Sequence, residues 1–377
     1  MGKKAISRQL NIRKATIIAW LANNEYEEGR GWQKNRKRIH TDAEENRIIQ
    51  LKEKRNHGYY LVGAPYVQMD YAKKYPLDPL PSEWFIQETS RKAGLQSLEP
   101  KAKKKKQNIV SRLLFPIQSI VKLGLVQQSC DFIGKKYIAG RTEPVSIFAT
   151  AFYQWFKLYG IWRICAENAD AAIERLIFFY QTFPLADVMR MDNGMPFRGT
   201  GRQEARVGRF LKFLLNLNII PLFAAPYQSY TNPHIEGHNR TFDDKLWQKN
   251  FFASEFEIDR ECNRFNAESR EFFEWKFKDR LTGKGIRHLG PKSIIDGEVL
   301  RSTKGKKICF VRFVESWKET NNTAGIVILD RFVELPAAYL NQYVFATLDL
   351  ETARLLIISE HQGIINKIIN RRFEYTL

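Results

Sequence analysis

Cysteine is scarce in this chain and scattered where it occurs. Cys130, Cys165, Cys262 and Cys309 lie far apart and form no Cys-x-x-Cys pair, which argues against a disulfide framework and a cysteine-based zinc module and fits a reducing compartment. Long apolar runs are absent too, and no signal-peptide pattern is found, so a cytoplasmic protein is expected. Acidic residues are in deficit: 41 Asp+Glu stand against 60 Lys+Arg, a net charge of +19. What is plentiful is core material, with 44% hydrophobic and 13% aromatic residues, enough to exclude global disorder. At 377 residues, several modules are expected.

The positive charge is concentrated at the front. Residues 1–113 carry 24 basic and 12 acidic side chains, a net +12, leaving +7 for the remaining 264. That asymmetry marks the front third as a polyanion-binding end, with nucleic acid favoured over membrane. Ala5 to Ile12, a polar break at Asn11, and Lys14 to Leu21 read as a helix-turn-helix whose second helix would enter a major groove, presenting Arg13, Lys14, Thr16 and Trp20 to DNA. A generic helical hairpin is the bland alternative. A second such unit is read at 65–95, where Tyr66 to Lys74 forms one helix and Pro81-Ser82-Glu83 starts another that stops at Gly94. The run Lys103-Lys104-Lys105-Lys106 marks a basic linker.

From 115 the texture changes to strand and helix in alternation. Leu125–Ile133, Pro144–Tyr153 and Ile161–Cys165 read as strands and Ala169–Phe183 as a helix. Val188–Asp192 is a further strand, Arg206–Leu215 a helix and Ile219–Ala224 a strand, and a long helix begins near Pro233. That order describes an α/β layer. Ser254 and Glu257 make a capping box for a helix to about Arg270. Beyond about 295, the runs Ile308–Val314, Gly325–Leu329, Tyr343–Leu348 and Leu355–Ile358, with a turn at Asp349-Leu350-Glu351, suggest a small β-barrel.

The chemistry is carried by acids at element ends. Asp131 is placed at the end of the first strand of the layer, Asp192 at the end of a later one, and Glu236 on the helix after the last. Strand ends on one sheet edge converge, and a helix across that edge can add a third carboxylate. Three carboxylates that close repel one another unless cations sit among them, and hard divalent ions prefer such oxygen ligands. Singly, each acid also has a plain structural role, as a strand-end cap, a turn former or a first-turn helix residue. A zinc site at His234 and His238 is disfavoured. Glu236 follows His234 by two residues rather than one, so the His-Glu-x-x-His pattern is absent, and on a helix it points away from the histidine pair.

Three motifs carry a family resemblance: Asp131-Phe132-Ile133-Gly134; Met191-Asp192-Asn193-Gly194-Met195-Pro196-Phe197; and Pro226-Tyr227 followed by Asn232, Ile235-Glu236 and Asn239-Arg240. Together they resemble the integrase catalytic core of the DDE superfamily, and most of all the bacterial insertion-sequence transposases. The resemblance implies N-terminal helix-turn-helix modules, an RNase H-like α/β core with a mixed sheet and a C-terminal SH3-like β-barrel. It implies Asp131, Asp192 and Glu236 as catalytic metal ligands for two Mg²⁺ or Mn²⁺ ions. Tyr227, Asn232, Asn239 and Arg240 match positions that line the DNA channel. The implied activity is cutting transposon ends and joining them to target DNA, by a homo-oligomer assembled on DNA. A regulator derived from such an enzyme, its catalysis lapsed, is the alternative.

The expected domains are 1–60 and 61–100 (helix-turn-helix), 101–114 (linker), 115–285 (catalytic core) and 295–377 (barrel). There are departures from the family pattern. The second and third acids are separated by 43 residues, where roughly 35 is usual. Pro233 stands where glycine is common, Gly237 where serine or arginine is usual, and Gln127, Gln128 and Ser129 make the first strand unusually polar. The excess spacing is assigned to Arg198–Val207, expected as a surface loop outside the core with arginines Arg198, Arg202 and Arg206.

Overall fold

Asn168 shows how closely local chemistry sets the element boundaries. Its side chain accepts a hydrogen bond from Ala171 N at 2.9 Å, an N-cap that starts the helix Ala169–Tyr180, whose Ala172, Ile173, Leu176 and Phe179 then turn inward. Ser82 does the same for Glu83–Lys92, accepting from Phe85 N at 3.2 Å. The computed structural model describes residues 6–7, 13–22, 40–96, 113–138, 140–155, 158–199, 204–228, 232–277, 286–290, 297–317, 323–361 and 364–377. Two compact units divide at Arg47/Ile48.

In the first unit, α1 spans Lys14–Ala22 with Arg13, Lys14 and Thr16 exposed. Of the helix expected before it, Ile6 and Ser7 are described and helical, and its other residues and the Trp20 side chain lie outside the described residues. α2, Asp42–Gly58, carries the chain across the division.

The larger unit begins with a helical cluster. α3 (Ala64–Lys74) and α4 (Glu83–Lys92) pack with the second half of α2 around Ile48, Leu51, Val67, Tyr71, Phe85 and Ile86. α5 is Ile117–Lys122. The sheet is then laid down as β1 (Gln127–Tyr137), β2 (Pro144–Phe152), β3 (Tyr159–Ile164), β4 (Val188–Met191) and β5 (Ile220–Phe223). Between these strands come α6 (Ala169–Tyr180), the single turn α7 (Met195–Arg198) and α8 (Arg209–Asn216). α9 (Pro233–Phe242) runs into a π-helical turn, Asp243–Trp247, and α10 covers Glu255–Phe277, extending beyond the expected end near Arg270. The C-terminal strands are β6 (Lys307–Phe313), β7 (Glu315–Trp317), β8 (Thr323–Ile328), β9 (Arg331–Glu334), β10 (Tyr343–Asp349), β11 (Arg354–His361) and β12 (Ile364–Arg372).

A large mixed sheet results, in the order β12-β11-β10-β6-β5-β4-β1-β2-β3. β1, β4, β5 and β6 run parallel, and both flanks are antiparallel. This differs from the expected separate barrel. β6 pairs directly with β5 through Leu222↔Cys309 and Phe223↔Phe310, so the tail extends the core sheet, and only β7, β8 and β9 form a second, three-stranded sheet. The reason is burial: Ile308, Phe310 and Val311 are apolar enough to sit against β5 instead of facing solvent.

The polar start of β1 is accounted for in part: among the described residues the buried Gln127 amide and Ser129 hydroxyl have no hydrogen-bond partner, whereas Gln128 sits in a network. Gln128 Nε2 donates to Thr150 Oγ1 at 2.7 Å, Tyr180 Oη donates to Gln128 Oε1 at 2.6 Å, and Thr150 Oγ1 donates to the Ser129 carbonyl at 2.9 Å. A satisfied buried network of this kind costs little and fixes one packing arrangement.

The 198–207 segment corrects its expectation. Ala205 and Val207 are buried, Ala205 N bonds to Leu329 O and Val207 N to Thr376 O, and Arg206 bridges to Thr376. The chain departs at Gly199 (φ 106°) and returns at Gly208, where an added Cβ would lie 2.7 Å from Arg198 O and 2.8 Å from Gly199 Cα. Two touching glycines therefore close the excursion at its neck, and its far side packs on the C-terminal strands. Arg202 lies outside the described residues.

α10 ties the unit together. Along the edge strand β3, Asn266 bonds both the N–H and the carbonyl of Ile161 (2.9 and 2.7 Å), and Ser269 accepts from Tyr159 N at 2.8 Å. Side chains thus meet backbone groups that an open edge would leave bare. From the same helix, the buried Glu268 accepts from Tyr60 N (3.1 Å) and Leu61 N (2.8 Å), holding the helical cluster in place. Among the described residues no helix is long and apolar enough to cross a membrane. Replacing Glu268→Ala orphans two buried N–H groups at ~1–3 kcal/mol each. Urea unfolding should therefore register a loss of roughly 2–4 kcal/mol, with Glu268→Gln losing less, and an unchanged Ala variant would disprove this role.

Candidate active site

The two aspartates are brought together by strand register. β1 and β4 pair in parallel with Gln127↔Val188, Gln128↔Met189 and Ser129↔Arg190. Carrying that register two residues on sets Asp131 level with Asp192, on neighbouring strands whose spacing is ~4.8 Å. β1 does not end at Asp131 as expected. It continues to Tyr137 against β2 alone, so Asp131 sits where the parallel pairing stops rather than where the strand stops.

The turn after β4 is built by side chains. Asp192 Oδ1 accepts from Gly194 N at 2.9 Å, and Asn193 Nδ2 donates to the Ala224 carbonyl at 2.7 Å, fastening the Asp192 turn to the end of β5. Glu236 comes from the first turn of α9, one helical turn before Asn239. Asn239 Nδ2 donates to Asp131 Oδ2 at 2.9 Å. Asp131, Asp192 and Glu236 all line one cavity of about 710 Å³.

The acids differ in surroundings. Burial first, then the negative charge of Asp192, push the Asp131 carboxyl up to about 7, against the Asn239 and Phe132 hydrogen bonds that favour its anion, with Glu236 adding a smaller push upward. Asp192 is also raised, by desolvation, though its carboxylate keeps a face toward solvent and the Gly194 hydrogen bond works the other way. Glu236 is exposed. Among the described residues no three His, Cys, Asp or Glu side chains are close enough together to hold one ion. The donor chemistry nevertheless fits a hard divalent cation: two adjacent carboxylates, one of them held up by the other's charge, with a third acid on the same cavity wall.

Of the other residues singled out by sequence, Tyr227 and Asn232 line this cavity, Tyr227 fully exposed at φ 56° and Asn232 buried with its side-chain oxygen unpartnered. Asn239 orients Asp131. Arg240 points away to an ion pair with Asp244 at 3.5 Å. The histidines form no metal pair: His234 Nε2 lies 2.6 Å from Phe152 O, and buried His238 stacks on Tyr159 at 4.0 Å, burial lowering its pKa to about 3.

Sequence reading missed the far wall. Arg312, buried in β6, lines the cavity and donates to the carbonyls of Val327 (2.8 Å), Ala224 (3.2 Å) and Val311 (2.9 Å). Its guanidinium lies over the Phe310 ring at 5.0 Å, and burial, then repulsion from Arg198, draw its pKa down to about 9. Trp317 and Ile326 add to that wall, and Arg198 pairs with Asp330 at its rim. The available signal was an arginine at an interior-facing place in the apolar run Ile308–Val314.

No protein-family model and no curated protein matches the chain. Among solved structures, it is similar to a chain in a simian T-cell lymphotropic virus intasome bound to PP2A regulatory subunit B56 gamma, at 11% identity and TM-score 0.30, covering 81% of this chain and 99% of that one. It is also similar to the Mos1 mariner paired end complex with Mn (12% identity, TM-score 0.18, 75% and 93% covered). The same complex with Mg matches at 10% identity and TM-score 0.14, with 68% and 88% covered. Likenesses this slight carry no weight beside the geometry.

The raised Asp131 has a consequence for stability. A carboxyl whose folded pKa lies above its unfolded value leaves stability intact at low pH and removes it as pH rises through the folded value. Asp131→Asn should therefore raise the melting temperature of the metal-free protein, by an amount that grows from about pH 4 to about pH 7 and then levels off. At pH 8 the gain should not exceed about 4 kcal/mol. Thermal melts showing the same gain at pH 4 and pH 8 would refute the assignment.

Proposed function

We propose that the chain is a polynucleotidyl transferase of the transposase/integrase kind, cutting DNA at element ends and joining the freed 3′ ends to target DNA. The observation that carries the reading is the side-by-side placement of Asp131 and Asp192 by the β1/β4 register, with Glu236 on the wall of the same cavity. Asp131 and Asp192, joined by Glu236, would hold two Mg²⁺ or Mn²⁺ ions, which when bound supply Lewis-acid activation and neutralise charge on the phosphodiester.

The chain's own residues then have definable tasks. Asn239 keeps one oxygen of Asp131 oriented, leaving the other for the site. The Asn193 and Arg312 bonds to the Ala224 carbonyl hold the Asp192 turn against β5 and β6. Tyr227 and Asn232, which line the cavity, would flank a strand entering it. In the first step a water oxygen forms a bond to phosphorus as the P–O3′ bond breaks, leaving a 3′ hydroxyl on the element. That hydroxyl then attacks a target phosphodiester in line, releasing a target 3′ hydroxyl. Helix-turn-helix modules in the basic front, with Arg13, Lys14, Thr16 and Trp20, would recognise the ends, and two ends imply a homo-oligomer on DNA.

The exposed position of Glu236 favours one rival, a DNA-binding regulator that has lost catalysis. Glu236→Gln separates the two readings. It keeps size and removes one negative charge, so an enzyme should lose end cutting and strand transfer by at least ~100-fold in Mg²⁺ or Mn²⁺ while its DNA affinity stays within about twofold. If wild type neither cuts nor joins any end in either metal, and the variant binds DNA identically, the regulator reading replaces the enzyme.

A further inference from the structure

α9 has a second face. Ile235 and Glu236 turn to the catalytic cavity, whereas His234, Gly237, His238 and Thr241 line a separate cleft of about 720 Å³ between the helix and the helical cluster. Lys52 of α2, Lys245 of the π-helical turn and Lys249 share that cleft, and no carboxylate is among the described residues that line it.

The cations there are uncompensated. Burial, then the charges of Lys245, Arg55 and Lys249, lower Lys52 to about 8, which places the group within reach of one another's field. Among the described residues Lys52 Nζ is met by a neutral group, the Val62 carbonyl at 2.6 Å. The nearest acids on the π-helical turn are committed elsewhere, Asp243 to Lys136 and Asp244 to Arg240. His238, on the cleft wall and only 2% exposed, has no hydrogen-bond partner among the described residues at either ring nitrogen. Like charges gathered without counter-charge cost stability, and a bound polyanion would repay that cost.

We propose that this cleft binds the phosphates of a nucleic-acid strand, with Lys52, Lys245 and Lys249 as the phosphate-facing cations and α9 as the wall shared with the catalytic cavity. A helix is ~10–12 Å across, so at ~3.4 Å per nucleotide a strand passes from one face to the other in a few nucleotides. The inference rests on the nucleic-acid part of the reading above, not on its chemistry.

The test is fluorescence anisotropy of the full chain with labelled single-stranded and duplex DNA in Ca²⁺, over a salt series. Lys245→Gln/Lys249→Gln should weaken binding roughly 10-fold at low salt and flatten the log–log salt slope by about 1.4 for single strands or 1.8 for duplex. Lys122→Gln/Lys367→Gln, which removes two exposed lysines elsewhere, should change neither. Thr241→Glu, which sets a negative charge on the wall, should weaken binding without removing a lysine, and its melting curve checks that it folds.

Unchanged affinity and slope in both cleft variants would overturn the proposal. So would displacement of the strand by a few millimolar inorganic phosphate at constant ionic strength, the mark of a small-anion site. If no DNA is cut yet the cleft variants lose binding, the proposed chemistry falls and the cleft stands. If DNA is cut and the cleft variants bind normally, the reverse holds.

Discussion

Two carboxylates side by side on parallel strands are an electrostatic burden, and much of the structure around them is organised to carry it. The β1/β4 register sets Asp131 and Asp192 at one level. Burial then raises both, and the charge of Asp192 raises Asp131 further. A fold built only for stability would place neutral groups there, since a partly desolvated like-charge pair is repaid by a cation or a proton. The surrounding contacts, Asn239 to Asp131 and Gly194 to Asp192, favour the anions against that burden.

The C-terminal strands belong to the same construction. Pairing β6 with β5 brings Arg312 under the cavity, where its guanidinium bonds the Ala224 carbonyl that also accepts from Asn193. One carbonyl thus links the Asp192 turn, the end of β5 and the tail. Among the described residues Arg312 bonds carbonyls and lies over an aromatic face, with Arg198 and Asp330 acting on it only through their charges. It offers positive charge to the cavity without neutralising either acid.

α9 and α10 divide the remaining work. α10 seals the β3 edge with Asn266 and Ser269 and grips Tyr60 and Leu61 through Glu268, so the helical cluster is held against the core. α9 stands between the acidic cavity and the lysine-lined cleft, with Glu236 toward one and His238 toward the other. The stacking of His238 on Tyr159 anchors that helix to β3.

Much of this was legible in residue order. The alternation of strand and helix, the helix starts at Ser82 and Ser254, and the placing of Asp192 at a strand end and Glu236 at a helix start follow from local propensity, which depends only on neighbours in the chain, whereas the run of β1 past Asp131 to Tyr137 did not. What local pattern could not decide was which strands became neighbours. That β6 would join β5 rather than close a separate barrel, that Val207 would be buried through contacts with Thr376, and that Arg312 would face the acids depend on pairings between residues far apart in sequence. Those pairings are set by which apolar faces can bury one another at least cost. Composition and spacing along the chain therefore determined the elements and their acids, while the long-range burial of β5 against β6 decided what surrounds those acids, because side-chain packing and hydrogen-bond satisfaction are settled only once the whole sheet is assembled.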